Sequence, residues 1–558
     1  MDAENARPSP ALEKAGITNH ASTGDNNPAH HTTPAIQSGT PAQEVLYLCG
    51  TRLFMVATLI GIMVFIVSIE ANIAVTAFVA IARDLGGFET ISWVLSSYQL
   101  GFVALIVISA KLSDIFGRKT ITAGLLILFT VFSAGCAGAQ TMTQLIVIRA
   151  FQGLGGGGCY TLGAVLIVDA APPEKYGKYV ANAGIAIAMG TVLGPVIGGA
   201  ISQNSTWRWI FLLNVPVGVL ALFLAIVGMP HGFPYRERLP THGSLTAVVQ
   251  TIRTRLDIIG SLLLLGAVLA FTACFQEAGS RFQWQSAYVI TLLITFVALF
   301  LLLLFWERHV TLNGKLCEPV LPWRFFTNRV VIGIMAEMIL VGAPMSVTTF
   351  QLPQRFQLVN GLSNLDSGLR LLPFGALFPL GSMTGATVSS KFKIPAISLL
   401  VAGSMFQVVG YTLLSMLDSS VHIQASIYGY LTLCGFGCGL TFTMAYITVP
   451  FTVAECDKAV GMAAANQFRT MGSAVGLAIA TSVFNGYTFS RLAGLGINSS
   501  LEDIITGQEL LPVALRNEAR HILSEGYNRQ MLVLCAFSAA QIPTALLLWK
   551  RKHIVTVA

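Results

Sequence analysis

The composition of this 558-residue chain excludes a soluble globular protein. Apolar residues make up 54% of it and charged residues 11%, whereas soluble domains carry about 25% charged residues. The mean hydropathy is +0.70, and apolar runs of about 20 residues recur, the length of a helix that crosses a bilayer. We therefore predict an all-α, polytopic membrane protein. The net charge of +7 fits Lys and Arg in loops on one side of a membrane better than nucleic-acid binding.

Fourteen membrane spans are predicted after a polar tail. The tail, residues 1–45, is rich in Pro, Asn, Thr and His, which predicts a disordered cytoplasmic segment. It lacks the charged and apolar regions of a signal peptide, so the first span is expected to direct membrane insertion. The predicted spans are 53–80, 90–110, 121–139, 143–168, 179–201, 208–229, 257–277, 287–306, 330–350, 369–390, 395–417, 423–449, 460–484 and 531–549.

The distribution of Lys and Arg predicts that both termini are cytoplasmic. An even number of spans places both termini on one side, and the short loops of that side carry most of the loop Lys and Arg. A long outer loop is predicted at 485–530, with a glycosylation sequon at Asn498 and a second sequon, Asn204, near a helix end. The predicted units are a six-helix bundle at 50–230, a cytoplasmic loop plus inserted helices 7 and 8 at 231–329, and a second bundle at 330–550.

The stretch RAFQGLGGGGCY, residues 149–160, spells the dinucleotide fingerprint G-x-G-x-x-G. A dinucleotide site needs a strand before the glycines and a helix that begins after them. Here the glycines lie inside predicted span 4, where small residues let helix backbones approach closely. We interpret the run as a helix-packing seam and predict no cofactor. The sequence shows no Walker loop, His/Cys metal spacing or nucleophile–base pairing, so we predict that the chain is not an enzyme.

Three further features stand out because they place charged residues or clusters of small residues within or between apolar segments. In AKLSDIFGRKT, residues 110–120, Asp114 can accept hydrogen bonds and Gly117 permits a tight turn. In span 4, Arg149 and Gln152 share a helix face, and a buried Arg has to pair or line a polar cavity. The loop cations that can pair with acids are Arg118 and Lys119. The stretch GTVLGPVIGG predicts a bend and a close helix contact through Gly190, Gly194, Pro195, Gly198 and Gly199.

In this order, the three features resemble the motifs of the major facilitator superfamily. The loop motif G-x-L-a-D-r-x-G-R-K resembles residues 110–119, with Ala110 for the first Gly and Ile115 for the basic residue. The helix-4 motif R-x-x-q-G resembles residues 149–153. The helix-5 antiporter motif g-x-x-x-G-P-x-x-G-G is matched throughout by residues 190–199. The resemblance covers the chain from about residue 50 to 550.

Other segments resemble the 14-helix drug:proton antiporters. These are WRWIFLLNVPVG at 207–218, GLRLLPF at 368–374 and NQFRTMGSAVGLAIA at 466–480, the last being similar to fungal toxin and secondary-metabolite exporters. In span 1 that branch commonly has L-D-x-T-I-V-x-x-A-L-P, whereas this chain reads IEANIAVTAFVA. Glu70 stands where the Asp would be, and Val79 replaces the Pro.

The resemblance implies two six-helix bundles around a central cavity, with two inserted helices, alternating access and export driven by inward proton movement. Ionisable residues inside a membrane are functional candidates. Glu70 is the expected proton site, Arg149 its partner, and Asp114 a gating residue facing residues 457–460. Asp169 is expected to join Arg118. Each has a simpler alternative, such as contact with water or with backbone carbonyls.

The candidates for the substrate cavity are polar or aromatic side chains within the spans. The alternative for the aromatic ones is helix packing or interfacial anchoring, and Glu337 is either a substrate or proton contact or a cavity acid without a fixed role. The candidates are Trp93, Tyr98, Gln99, Gln152, Glu337, Asn466, Gln467 and Arg469.

The function expected from this pattern is proton-coupled export of a small, mostly apolar molecule, such as a secondary metabolite, toxin or drug. The expected location is the plasma membrane, with the vacuolar membrane as the alternative. The expected energy source is a proton gradient, and the protein is expected to act as a monomer. No nucleic-acid or protein partner is indicated. Two alternatives stay open, namely import of a siderophore or another small molecule, and a membrane sensor that transports nothing.

Overall fold

A computed structural model describes residues 48–73, 81, 84–86, 92–172, 175–230, 233, 256–278, 282–313, 319–418, 423–494 and 513–549. The all-α prediction is confirmed for these residues, because helices occupy the predicted positions in the predicted order. In the first part they are α1 (Gly50–Ile73), α2 (Ser92–Ala104), α3 (Ile106–Phe116), α4 (Arg118–Gly138), α5 (Met142–Ala170), α6 (Tyr176–Asn204), α7 (Arg208–Leu212) and α8 (Asn214–Gly228).

The remaining helices continue the same order. Between them lie two short 3-10 turns, Val449–Phe451 and Glu455–Asp457. The helices are α9 (Ile258–Glu277), α10 (Ala287–Asn313), α11 (Arg324–Thr327), α12 (Arg329–Leu358), α13 (Asn364–Leu369), α14 (Leu372–Phe392), α15 (Ala396–Ser415), α16 (Ser426–Thr448), α17 (Lys458–Gly494) and α18 (Val513–Leu546).

Eleven helical segments of the described chain are long and apolar enough to cross a membrane, or twelve if α2 and α3 form one bent span. These two helices meet at Leu105 with a bend of 41°. Neither α17 nor α18 is among these segments, since α17 carries Arg469 and three amides and the first half of α18 is rich in charge. Fourteen spans and cytoplasmic termini therefore stay predictions.

The last two long helices extend well beyond their predicted limits. Helix α17 ends at Gly494 rather than near 484, and α18 begins at Val513 rather than near 531. Helical structure thus continues through residues 485–494 and 513–530, and the position of this stretch outside the membrane stays a prediction. The helical extensions pack against each other. Their contacts include a buried cluster of Leu492, Ala519 and Ile522, and rings of Phe484 and Tyr527 with centroids 4.6 Å apart.

Contacts between helices divide the membrane body into two groups. Helices α1, α2, α4, α5, α6 and α8 pack among themselves, and so do α12 and α14 to α18. The groups meet where α6 runs along α14 and where α3 and α5 contact α17. Helices α9 and α10 pack on each other, and α9 also contacts α2 in the first group and α17 in the second. The added pair thus lies beside both groups.

The glycine run of α5 is a packing seam. A Cβ atom at Gly153 would lie 2.2 Å from the carbonyl oxygen of Tyr98, and one at Gly157 would lie 1.9 Å from that of Phe102. Only glycine permits backbones so close. The run lies within a continuous helix, with neither the strand nor the turn of a dinucleotide site. The packing interpretation is confirmed and the cofactor interpretation is excluded.

The second group contains the same arrangement. On α16, a Cβ atom at Gly435 would lie 2.4 Å from the carbonyl oxygen of Phe374, and one at Gly439 would lie 1.9 Å from that of Phe378. Both partners belong to α14. The spacing of four residues and the contact with a neighbouring backbone repeat those of α5 and α2, so each group contains a helix pair of this kind.

Candidate functional site

A fully buried ion pair lies inside the first group. Glu70 of α1 and Arg149 of α5 have no solvent exposure, and Nη1 of Arg149 pairs with Oε1 of Glu70. The side-chain amide of Asn214, at the start of α8, donates a hydrogen bond to the other carboxylate oxygen. Both oxygens of Glu70 are therefore engaged, and the two formal charges balance. The contact between Glu70 and Arg149 predicted from the sequence is present.

The guanidinium of Arg149 is held by several further contacts. Its Nε donates to the carbonyl oxygen of Val94 at 3.1 Å, and Nη1 donates to Oε1 of Gln152 at 3.0 Å. The ring of Tyr98 lies 4.5 Å from Cζ, and Gln152 donates to Ser133 at 2.8 Å. Nη2 has no hydrogen-bond partner in the described part of the chain. The guanidinium of Arg149 is thus fixed in position, and its Nη2 group is available to donate a further hydrogen bond.

This geometry makes the charge balance of the site depend on the protonation of Glu70. A buried ion pair is tolerated because each charge compensates the other, and loss of one charge leaves the other without compensation. Protonation of Glu70 would leave Arg149 without its counter-ion. Arg149 would then retain only the neutral partners Val94 and Gln152.

A second charged cluster surrounds the turn between α3 and α4. Gly117 forms the turn with φ of +90°, a region that favours glycine. Arg118, almost fully buried, pairs through Nη2 with Asp114 and through Nε with Asp169, both at 2.6 Å. Its Nη1 also donates to Ser113 at 2.5 Å. The predicted contact between Arg118 and Asp169 is confirmed, and it joins this turn to the end of α5.

Lys119 and Asp457, two other charged residues considered in the sequence analysis, bind residues outside this cluster. Lys119 donates to the carbonyl oxygen of Ile226, near the end of α8, at 2.5 Å. Asp457, at the start of α17, accepts from Arg324 at 2.6 Å. This hydrogen bond raises the pKa of Arg324 above its ordinary value by stabilising the protonated guanidinium. Helix α3 packs on α17, and a direct approach of Asp114 to the start of α17 stays a prediction.

The glycine-rich stretch of α6 makes one close contact with α1. A Cβ atom at Gly190 would lie 2.8 Å from Cβ of Ser68 and 2.9 Å from the carbonyl oxygen of Phe65. By contrast, Gly199 has no atom within 4 Å of such a position. The motif therefore contains one position that requires glycine for packing and one that does not. Its other residues in the same helix are Gly194, Pro195 and Gly198.

Of the cavity candidates, Arg469 lies where the two groups meet. Its Nε and Nη2 both donate to Oδ1 of Asn466, at 3.2 and 3.0 Å. Its Cζ lies 5.4 Å from the ring of Tyr160, which belongs to α5. The neighbouring Gln467 is buried, and its Nε2 has no hydrogen-bond partner among the described residues. Three sequence candidates thus lie together on α17.

Glu337 is placed differently from the other candidates. It is completely buried on α12, and its Oε2 accepts from Thr544 of α18 at 2.5 Å. Nearby, Gln541 and Gln407 are bonded to each other. Glu337 therefore belongs to the contact between α12 and α18 and is separate from the Arg469 cluster. The other acid oxygen, Oε1, has no partner within the described chain.

The candidates in the first group divide into two kinds. Tyr98 and Gln152 are buried and surround Arg149, so they support the ion pair. Trp93 and Gln99 are partly exposed on α2. Asn498 lies outside the described residues, and so does the side chain of Asn204, the last residue of α6.

Sequence reasoning missed Asn214 as a member of the site. Its signal was a single amide in the apolar stretch FLLNVPVG, which is costly in a membrane unless the amide is hydrogen-bonded. The contact of Ser133 with Gln152 could not be predicted from the sequence, because hydroxyls occur throughout these helices and can bond to their own backbone.

Comparison with known proteins agrees with the motif resemblance. The Major Facilitator Superfamily profile matches residues 60–278. The MFS-type transporter FPY5 of Fusarium mangiferae is 32% identical over 543 residues, which are 97% of this chain and 90% of that protein. This chain belongs to the major facilitator superfamily. It is therefore a multi-pass membrane transporter of small molecules rather than an enzyme.

Two further similarities extend this result. The MFS-type efflux pump LUC4 of a Fusarium species is 30% identical over 475 residues, covering 82% of this transporter and 77% of the pump. The crystal structure of an auto-inhibited POT family peptide transporter matches with a TM-score of 0.56 at 14% identity, covering 89% of this chain and 96% of that one. At this identity the structural match concerns the fold alone.

Proposed function

We propose that this transporter exports a small organic molecule, such as a secondary metabolite or drug, across the plasma membrane in exchange for protons. The buried Glu70–Arg149 pair, completed by Asn214, is the observation that carries the proposal. It offers one titratable acid whose protonation disturbs contacts among several helices. The name of the related efflux pump LUC4 supports the direction of transport.

The proton site is Glu70 and its partner is Arg149. In one state the carboxylate is charged and bound by Arg149 and Asn214. A proton arriving from outside neutralises Glu70 and frees Arg149, whose contact with Val94 carries the change to α2, the helix that packs on α9. Release of the proton to the cytoplasm restores the pair. Each cycle thus links one charge change to one movement between the groups.

The gate is the Asp114–Arg118–Asp169 cluster, on the cytoplasmic side by the predicted orientation. Arg118 connects α3, α4 and α5 through two ion pairs. Helix α3 also packs on α17 of the second group. The cluster therefore fixes α3, α4 and α5 relative to one another, while α3 contacts the second group. The substrate passes between the groups, near Arg469 and Tyr160, and a monomer is sufficient.

Accumulation assays test the proposed function. Cells that produce this protein are expected to accumulate less of some fluorescent apolar compounds than cells that lack it, because export lowers the internal concentration. An uncoupler should restore accumulation, because it removes the proton gradient. Protein amount in the membrane is measured in both strains. Higher accumulation would reverse the proposed direction, and a difference that persists with the uncoupler would contradict proton coupling.

Asp114→Asn is expected to reduce export at least about tenfold, equivalent to about 1.4 kcal/mol, while folded protein remains in the membrane. The amide loses its charge-assisted contact with Arg118, whereas Arg118 retains Asp169 and Ser113. Initial efflux rates per folded transporter provide the measurement. The matched control is Glu455→Gln, an exposed acid near the start of α17 that pairs only with Lys458 among the described residues. Equal rates for the two variants would contradict a gating role for Asp114.

A further inference from the structure

Helix α17 presents cationic and aromatic side chains along one face. Arg469 and Tyr487 are 18 residues apart, which is five full helical turns, so they project from the same side. Arg491 follows one turn after Tyr487. At Arg469 this side of α17 faces α5 of the first group, because the guanidinium lies over Tyr160. At Tyr487 it faces α18, because the guanidinium of Arg529 lies 4.0 Å from the Tyr487 ring.

Arg469 lacks the charge compensation that Arg149 has. It is 9% exposed, and its contacts in the described chain are the amide oxygen of Asn466 and the ring of Tyr160. No carboxylate in that part of the chain pairs with it, whereas Arg149 pairs with Glu70. The side-chain nitrogen of Asn466 is also unpartnered among described residues. A guanidinium in this position requires a negative partner or water, and an anion that passes between the groups would supply one.

An open groove of about 420 Å³ lies between α17 and α18, beside Tyr487 and Arg491. We call this groove the vestibule. Its polar lining consists of Ser482, Tyr487, Ser490 and Arg491 of α17 and Arg529 of α18.

Positive charge dominates the vestibule. The Cζ of Arg529 lies 4.0 Å from the ring of Tyr487, and that of Arg491 lies 5.8 Å from it. One acid, Glu525, is 3.8 Å from Arg529, with both side chains nearly half exposed. Such a long exposed contact contributes little. The hydroxyl of Ser482 accepts from Trp284 at 2.7 Å. Two guanidinium groups and the hydroxyls of Tyr487 and Ser490 therefore remain to bind an oxyanion.

We propose that the transported molecule is an organic anion, which pairs with Arg469 at the centre and leaves through the vestibule. The proposal rests on the export function above and names its substrate class. Arg469 binds the acidic group, Tyr160 contacts the apolar part, and Arg491 and Arg529 attract the anion towards the exit. A neutral compound of the same shape would gain none of the charge-assisted hydrogen bonds.

Binding measurements test the vestibule. The probes are 1-pyrenebutyrate and its neutral primary amide, titrated by fluorescence against purified protein in phosphatidylcholine nanodiscs. We expect the anion to bind at least tenfold more tightly than the amide. The double variant Arg491→Gln/Arg529→Gln should lose most of this preference. The control Lys391→Gln/Lys393→Gln, which removes two cations at the far end of α14, should retain it.

Two binding outcomes would overturn the proposal. One is weak or equal binding of the anion and the amide to the unmodified protein. The other is a preference that survives in the Arg491→Gln/Arg529→Gln variant. Addition of phosphatidylglycerol identifies a lipid source of the anion. If this lipid displaces the probe while the arginine variant exports normally, the vestibule binds a lipid headgroup and the cargo proposal is wrong.

Transport measurements separate this inference from the export function. Everted vesicles are loaded with the pyrene anion, its amide or a pyrene trimethylammonium analogue, and proton-driven uptake is followed. Arg469→Gln should abolish the advantage of the anion, and Arg469→Lys should retain part of it. If the amide or the cation moves as fast as the anion, the substrate class is wrong and export stands. If no compound moves in this or the broader accumulation panel, export itself fails.

Discussion

Glu70→Gln is expected to abolish proton-driven efflux and to destabilise the protein by about 3–5 kcal/mol, the cost of removing one partner from a buried ion pair. The amide has no charge to compensate Arg149. It also presents an NH₂ group where both neighbours, Arg149 and Asn214, are hydrogen-bond donors. Thermal unfolding in detergent measures the stability, and efflux at several external pH values measures the coupling.

The double variant Glu70→Gln/Arg149→Gln separates the two effects. With both charges removed, the buried site is neutral again, so more folded protein is expected than for Glu70→Gln alone. Efflux should still be absent, because no titratable acid remains at this position. A Glu70→Gln protein that exports with unchanged pH dependence would show that another acid carries the proton, and Glu337 would be the next one to examine.

Gly157→Ala is expected to prevent correct packing of the first group. The new Cβ would lie 1.9 Å from the carbonyl oxygen of Phe102, so α2 and α5 would have to separate. The cost should reach or exceed the upper end of the about 1–3 kcal/mol typical of overpacking, because a backbone atom cannot change rotamer. Membrane yield and the unfolding temperature of the purified protein are the measurements.

The matched control for this substitution is Gly124→Ala. Gly124 lies in the middle of α4, and a Cβ atom there would have no neighbour within 4 Å. Alanine also favours a helix over glycine by about 1 kcal/mol, so this variant should be as stable as the parent or slightly more so. Similar losses for both variants would contradict the close contact between α2 and α5.

The sequence was most informative where a residue conflicted with its surroundings. Glu70 and Arg149 are ionisable residues inside apolar runs, so a mutual ion pair could be predicted without coordinates. The glycines of α5 could be assigned to packing because they lie within a span. The sequence could not identify their partners, Tyr98 and Phe102, because helix register is decided by contacts between distant parts of the chain.

Predictions failed or stayed open where long-range packing determines the outcome. Helices α17 and α18 extend beyond the spans marked by hydropathy, which does not detect the packing of the two helices on each other. Glu337 was grouped with the cavity candidates because it is an acid in a span, yet its carboxylate bonds to Thr544 of α18. Asp457 was expected near Asp114, and its described partner is Arg324. The spacing of residues along one helix does not show which residues of other helices they bind.

The lengths of α17 and α18 have a practical consequence for imaging. With 37 and 34 residues, the helices are about 55 and 50 Å long at 1.5 Å per residue, whereas the hydrocarbon core is about 30 Å thick. The predicted spans of α17 and α18 would leave their packed ends outside the lipid, where these ends would provide an epitope. An antibody fragment raised against this epitope would give single particles an asymmetric landmark, which a body enclosed by a detergent micelle otherwise lacks.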